Sequence, residues 1–228
     1  MIYSFKNRVK HLLGQKPILI NGFFKIFGGK NSWLLFNNKT EIVIEGFPRS
    51  ANTFSVVYFE ITQPRVVSVA HHLHVEAQLI WAAQNSIPGV VLIREPEDCI
   101  RSLVVRESNM TVKLALKRYI KFYTNLLPYR DSLVVADFSS VIKNMGNVIS
   151  NVNKKYGVSF VVCPHTEELE ARVYKEIDSI SSRLDGGKST HVARPNNQRK
   201  VKNSQVSFDG CGDLLIEAER IYKVFVSG

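Results

Sequence analysis

The chain has little cysteine: Cys99, Cys163 and Cys211 are the only three in 228 residues, far apart and odd in number. With no CxxC pair, a disulfide framework and a structural zinc site are not expected, and the pattern fits a reducing, cytoplasmic compartment. No apolar run approaches the ~18 residues that a membrane-spanning helix needs. The apolar stretch Pro17 to Phe24 is interrupted by Pro17, Asn21 and Gly22 and follows a basic stretch from Lys6 to Lys16. It also has no small-residue cleavage site, so no signal peptide is expected. Internal repeats and low-complexity tracts are absent. Acidic side chains are in deficit, 20 against 30 basic ones, for a net charge of +10. That surplus suits an anionic partner (nucleotide, nucleic acid, acidic glycan or membrane surface) without choosing among them.

The hydrophobic fraction of 45% and charged fraction of 22% are those of a globular protein. From residue 41 short β-rich runs alternate with helical ones. Glu41–Phe47, Arg65–Ala70, Gly89–Arg94 and Ser132–Ala136 read as strands, with Val158–Val162 as a fifth. Helices are expected over Asn52–Thr62 and Val75–Ser86, from Pro96 onward, and over Thr111–Leu127, Glu167–Leu184 and Asp213–Phe225. Strands separated by helices predict an α/β fold, a mostly parallel sheet between two helical layers, with ligands beyond the carboxyl ends of the strands. One domain spans residues 1–228. Residues 1–40 form an N-terminal extension packed on it, 41–140 a nucleotide-binding core, and 185–228 a basic loop and final helix. Phe5, Val9, Leu12 and Leu13, with Lys6, Arg8 and Lys10, outline a short basic amphipathic helix, docked on the domain or lying on a membrane.

Gly46-Phe47-Pro48-Arg49-Ser50-Ala51-Asn52-Thr53 follows the first strand and opens a helix, the geometry that aims backbone N–H groups at a phosphate. The frame GxxxxGK[ST] fits at Gly46 and Thr53 but fails at Ala51 and Asn52, which weakens a magnesium–triphosphate reading. A cation, Arg49, stands inside the loop instead. The plainer reading is a strand–helix turn capped by Asn52 or Ser50. Pro48 to Phe54 resembles the PKSGTTW-type loop of sulfotransferases that use 3'-phosphoadenosine 5'-phosphosulfate (PAPS). Arg49 replaces Lys, Ala51 replaces Gly and Phe54 replaces Trp. After the third strand, Arg94-Glu95-Pro96-Glu97-Asp98-Cys99-Ile100-Arg101-Ser102 resembles the same family's 3'-phosphate motif, RxPxDxxxS. A guanidinium at a strand end is suited to gripping phosphate through paired hydrogen bonds. On the helix, Cys99, Ser102 and Arg106 share a stripe apart from Ile100, Leu103 and Val104, so Ser102 is expected to face Arg94 unburied.

The resemblance is best over residues 41–140. It implies a P-loop-NTPase-like three-layer sandwich that transfers a sulfuryl group from PAPS to a hydroxyl or amine and releases PAP, without a metal. Pro48, Arg49, Ser50, Ala51, Asn52, Thr53 and Phe54 would hold the 5' end of the donor, and Arg94 and Ser102 its 3'-phosphate. The basic C-terminal loop of related enzymes suggests Arg194, Arg199 and Lys200 as further cations, although the RKGxxG form is absent and a solvated basic loop is the alternative.

Between the motifs lies Ala70-His71-His72-Leu73-His74. Continued strand alternation would put His72 and His74 on one face and His71 and Leu73 on the other. His11, His165 and His191 are scattered, so a zinc site is not expected. General base catalysis needs one imidazole near the acceptor. The resemblance implies a base histidine at this strand end: His72, with His74 as the second candidate. Ala70 stands where the family has Lys, which leaves charge stabilisation to Arg49. The plainer reading is that these histidines only satisfy backbone groups. Rival functions are a phosphate-loop kinase or nucleotide hydrolase, and a non-catalytic module for anionic glycan. Nucleic acid is disfavoured, since the strands lack interleaved exposed aromatics. The basic surface favours a saccharide or glycolipid acceptor, and the basic N-terminus offers peripheral membrane contact as the lesser alternative to docking on the domain.

Overall fold

The computed structural model describes residues 13–27, 29–107, 109–185 and 197–227, excepting the side chains of 25, 29–31, 183–185 and 197–200. Strand β1 (Ile42–Gly46) is buried at all five residues, which requires cover on both faces of a sheet. It pairs in parallel with β2 (Val69–His71) on one side and β3 (Gly89–Ile93) on the other, and β3 pairs in parallel with β4 (Val134–Asp137). The order is β2-β1-β3-β4.

The register aligns Ile44 with His71, Gly46 with Leu92 and Ile93 with Asp137, so all four strands end at one edge. A Cβ on Gly46 would lie 2.4 Å from the Leu92 carbonyl oxygen, so only glycine lets β1 and β3 converge there. From β1 the chain first steps outward to β2, then crosses back to β3 on the other side. The β1–β3 crevice is therefore the topological switch point, where open parallel sheets bind ligands.

Helices cover both faces, giving a three-layer α/β sandwich. In chain order they are α1 (Pro17–Phe27), α2 (Asn52–Thr62), α3 (Glu76–Gln84), α4 (Pro96–Arg106), α5 (Val112–Leu126), α6 (Phe138–Tyr156), α7 (Glu167–Asp185), α8 (Asn197–Ser204) and α9 (Gly212–Val226). Alternation along β1 splits the core. Ile42 and Ile44 pack with Phe54, Tyr58, Val141, Ile149 and Val173 of α2, α6 and α7. Val43 faces Leu79, Leu116, Tyr123 and Phe225 of α3, α5 and α9. Helix α1 docks on α3. Among the described residues no helix is long and apolar enough to cross a membrane. The N-terminal amphipathic pattern at Phe5 to Leu12 lies outside the described residues, as do His11 and His191.

Two expectations change. Residues 158–162 form no strand. Side-chain amides take the ladder's place: Asn153 exchanges bonds with Phe160 N and O at 3.0 and 2.7 Å, and Gln63 with Val161 N and O at 2.9 and 3.2 Å. With its backbone groups so satisfied, this β-branched run needs no neighbouring strand. Strand β2 begins at Val69, not Arg65, because the chain before it turns outward and exposes Val66.

Candidate functional site

The loop leaving β1 is held in an unusual backbone shape. Arg49 (φ 75°) and Ala51 (φ 67°) both lie in the left-handed region, which costs an L-residue about 1–2 kcal/mol each. Contacts from two helices hold it there. The Cys99 thiol on α4 donates to Pro48 O at 3.2 Å, and burial pushes that thiol up to about 12, so it stays a donor. Ser50 is buried with its hydroxyl 3.5 Å from Tyr123 OH on α5, and Asn52 Nδ2 donates to Phe47 O at 3.0 Å. Ala51, at the N-cap of α2, supplies no side-chain cap. The leading N–H groups of that helix, with its positive dipole end, thus have no capping side chain. Ser50 faces the core instead of a ligand. So does Phe54, whose ring lies 5.7 Å from that of Tyr174.

Arg94 ends β3 on the other side of the crevice. Its Nη1 donates to Arg49 O at 3.4 Å and its Nη2 to Asp98 Oδ2 at 3.1 Å, and the guanidinium lies 4.2 Å over the Phe138 ring. Arg49 Nε donates to Ser102 Oγ at 2.9 Å. Both motifs therefore meet at the switch point. Ser102 is buried, contrary to its expected open position, because the Arg49 side chain folds back onto it. Two buried polar atoms here, Arg94 Nε and Asn52 Oδ1, have no hydrogen-bond partner. Buried polar groups are rarely left so.

The histidine segment does not continue as a strand. His72 (φ 57°) and His74 (φ 52°) are left-handed, so the expected alternation of faces ends at His71. The cause is Glu45, a fully buried carboxylate in β1. It accepts from Leu73 N at 2.8 Å, His74 N at 3.0 Å, Gln78 Nε2 at 3.0 Å and Gly46 N at 3.1 Å, which curls the loop around it. Burial alone would raise its pKa, but the hydrogen bond and electrostatic pull of the His74 ring, with a hydrogen bond from Gln78, hold it down at about 2. Sequence reasoning passed over Glu45; the available clue was one acid in an otherwise apolar strand.

The three imidazoles are placed differently. His74 Nδ1 donates to Gly46 O at 2.9 Å and lies 3.3 Å from Glu45 Oε1, which leaves the lone pair on Nε2. His72 uses both nitrogens, Nε2 at 3.1 Å from Thr53 Oγ1 and Nδ1 at 2.5 Å from His71 Nδ1. Burial, aided by the neighbouring histidines, drives His72 to about 3 and His71 to about 4, so both are neutral at pH 7. Thr53 is the second residue of α2, so His72 touches the start of the helix that follows the β1 loop.

On the far side of α4, Arg101 clamps the C-terminal segment. Its Nη1 donates to Asn203 O at 3.0 Å and to Val206 O, its Nε to Glu97 Oε1 at 3.0 Å, and it lies 5.0 Å over the Phe208 ring. Helix α8, which carries Arg199 and Lys200 in its first turn, is thereby fixed against the helix of the RxPxDxxxS motif. The side chains of Arg199 and Lys200, and Arg194 entirely, lie outside the described residues. Arg101→Ala is expected to speed amide exchange in α8 at least ~10-fold while β1 and β3 stay protected. Unchanged α8 protection by exchange mass spectrometry would remove the clamp.

A cleft of ≈ 400 Å³ lined by Glu41, Arg65, Pro88 and Phe160 lies at the opposite, N-terminal end of the strands. Among the described residues no group of three or more His, Cys, Asp or Glu side chains is placed to hold a metal ion. No protein-family model matches the chain, and no curated protein does.

Proposed function

We propose that the chain is a PAPS-dependent sulfotransferase of P-loop-like fold. It would transfer a sulfuryl group to a hydroxyl or amine, with a saccharide or glycolipid as the acceptor class, and release PAP. The observation that carries this reading is the Arg94–Arg49 contact of 3.4 Å, which brings the two motifs that resemble phosphate loops together across the β1–β3 switch point. The partnerless Arg94 Nε is a donor suited to a phosphate, and the uncapped start of α2 suits another. Three unpaired cysteines accord with a reducing cytoplasm.

In this reading the Phe47–Asn52 backbone and the α2 N-terminus bind the 5'-phosphosulfate. Arg94 binds the 3'-phosphate, and Arg49 neutralises charge on the oxygen that leaves with PAP. The donor supplies an activated sulfuryl group, whose S–O bond to PAP breaks as a bond to the acceptor forms. His74 Nε2 takes the acceptor proton, while Glu45 beside Nδ1 fixes the tautomer and steadies the imidazolium. The base role expected of His72 passes to His74, because both His72 nitrogens are engaged and its basicity is depressed. His72 would instead orient Thr53.

Calorimetry with PAP tests the cofactor. Wild type should bind it, and Arg94→Ala should lose about 2–3 kcal/mol, roughly 30- to 150-fold. Equal affinity of the two proteins would sink the reading. Better protection by ATP with magnesium would favour the kinase reading, and steeply salt-dependent glycan binding without PAP affinity the binding module.

A further inference from the structure

Helix α1 is apolar on two sides. Ile20 and Phe24 are buried on the α3 side. On the other, Ile18 is 87% exposed, Leu19 44% and Ile26 74%. Ile18, Gly22 and Ile26 recur at i, i+4 and i+8, so they form one stripe. Trp33, 65% exposed, stands on the short 3-10 helix Gly29–Leu34 that packs beside α1. A helix facing water ordinarily turns polar residues outward, and contiguous exposed apolar surface marks an interaction site.

The surrounding charge identifies the partner. Residues 1–40 contain six Lys and one Arg and no Asp or Glu. Exposed aliphatic residues and a tryptophan amid cations alone are the composition of a segment lying in a negatively charged lipid interface. The 11 residues of α1 span about 16 Å, too short for a hydrocarbon core of about 30 Å. Pairing this face with a second copy would bring two wholly cationic segments together, which disfavours a dimer.

We propose that α1 and Trp33 dock this chain on an anionic lipid surface, the apolar stripe entering the headgroup boundary of a bilayer whose charge is opposite to that of residues 1–40. The Trp33 ring lies 5.4 Å from that of His71, so the docking face borders the histidine loop. If sulfuryl transfer is the activity, the acceptor is presented at headgroup level; that step rests on the preceding reading, and docking itself does not.

The test is flotation of the full chain with phosphatidylcholine vesicles, with or without about one-third phosphatidylglycerol. Binding should be at least tenfold stronger to the anionic vesicles, should fall in about 0.5 M salt, and should shift tryptophan emission to the blue. Ile18→Glu with Ile26→Glu should lose at least tenfold in binding with an unchanged far-ultraviolet spectrum. The proposal is overturned if neither vesicle binds, if the double variant floats like wild type, or if sedimentation shows a dimer that the double variant disperses. A PAP titration on the same samples keeps the two readings apart: vesicle binding without PAP binding overturns the transferase and leaves the docking face standing.

Discussion

Glu45→Ala is expected to lower the unfolding free energy by about 3–5 kcal/mol, the range seen when one partner of a buried charged network is removed. The carboxylate organises four donors: the N–H groups of Gly46, Leu73 and His74, and the Gln78 amide. Alanine leaves those within the sheet edge without an acceptor, and each orphaned buried donor costs about 1–3 kcal/mol. The damage should spread, since Gln78 also accepts from Phe36 N at 3.1 Å and so ties the N-terminal extension to α3. Glu45→Gln keeps the volume and one acceptor oxygen, so it should cost roughly half as much. Urea midpoints at constant slope measure both. A loss under about 1 kcal/mol for the alanine variant would mean that the histidine loop holds its shape without the carboxylate.

The frame of the fold was legible because its elements obey simple periods. β1 and β3 are short apolar runs, α4 begins at Pro96, and α5 carries Leu116, Tyr119, Tyr123 and Leu126 on one inward face. What escaped has physical reasons. Helix α6 starts from Asp137 itself, the last strand residue, whose carboxylate accepts from Ser139 N at 2.9 Å, so no loop composition announces it. Its Asn-rich sequence also kinks at Asn144, which blurs the 3.6 period. Helix α1 was hidden by Pro17, Asn21 and Gly22, yet Pro17 occupies the first position, where proline costs nothing, and Gly22 faces outward.

At the site, the motifs placed Arg49 and Arg94 after the first and third strands, and it is the order β2-β1-β3-β4 that makes those strands neighbours. Spacing did not reveal that Ser50 and Ser102 turn inward, because a hydroxyl's direction depends on partners from distant segments, Tyr123 and Arg49. The same limit hid the histidine geometry: His72 and His74 are bent out of the strand pattern by an acid 27 or more positions earlier, as the Glu45–His72 interval shows.

That geometry makes the fold acid-sensitive well above the carboxylate range. His71 and His72 are depressed from 6.5 to about 4 and about 3, first by burial; His74 lowers both, and His71 and Arg106 on α4 lower His72 further. Glu45 opposes this, but more weakly than burial. Below pH 6.5 the unfolded chain takes up protons on both rings while the folded chain does not, so stability is complete above 6.5 and falls as pH drops toward 4 and then 3. Glu45 acts in the same direction at lower pH, its contribution present above 4.5 and lost as pH falls toward about 2. A tenfold weaker proton affinity in the folded chain is worth about 1.4 kcal/mol, so even that much on each ring would remove about 3 kcal/mol from a typical stability of about 5–15 kcal/mol. The urea midpoint should therefore be clearly lower at about pH 5.5 than at about pH 7.5, with acid unfolding under way before most carboxylates titrate. Replacing both His71 and His72 with Gln should bring the two midpoints together and confine the remaining acid loss to the Glu45 window below 4.5. Equal wild-type midpoints at the two pH values would mean that the rings accept protons in the folded chain, and the tight neutral pair would have to be abandoned.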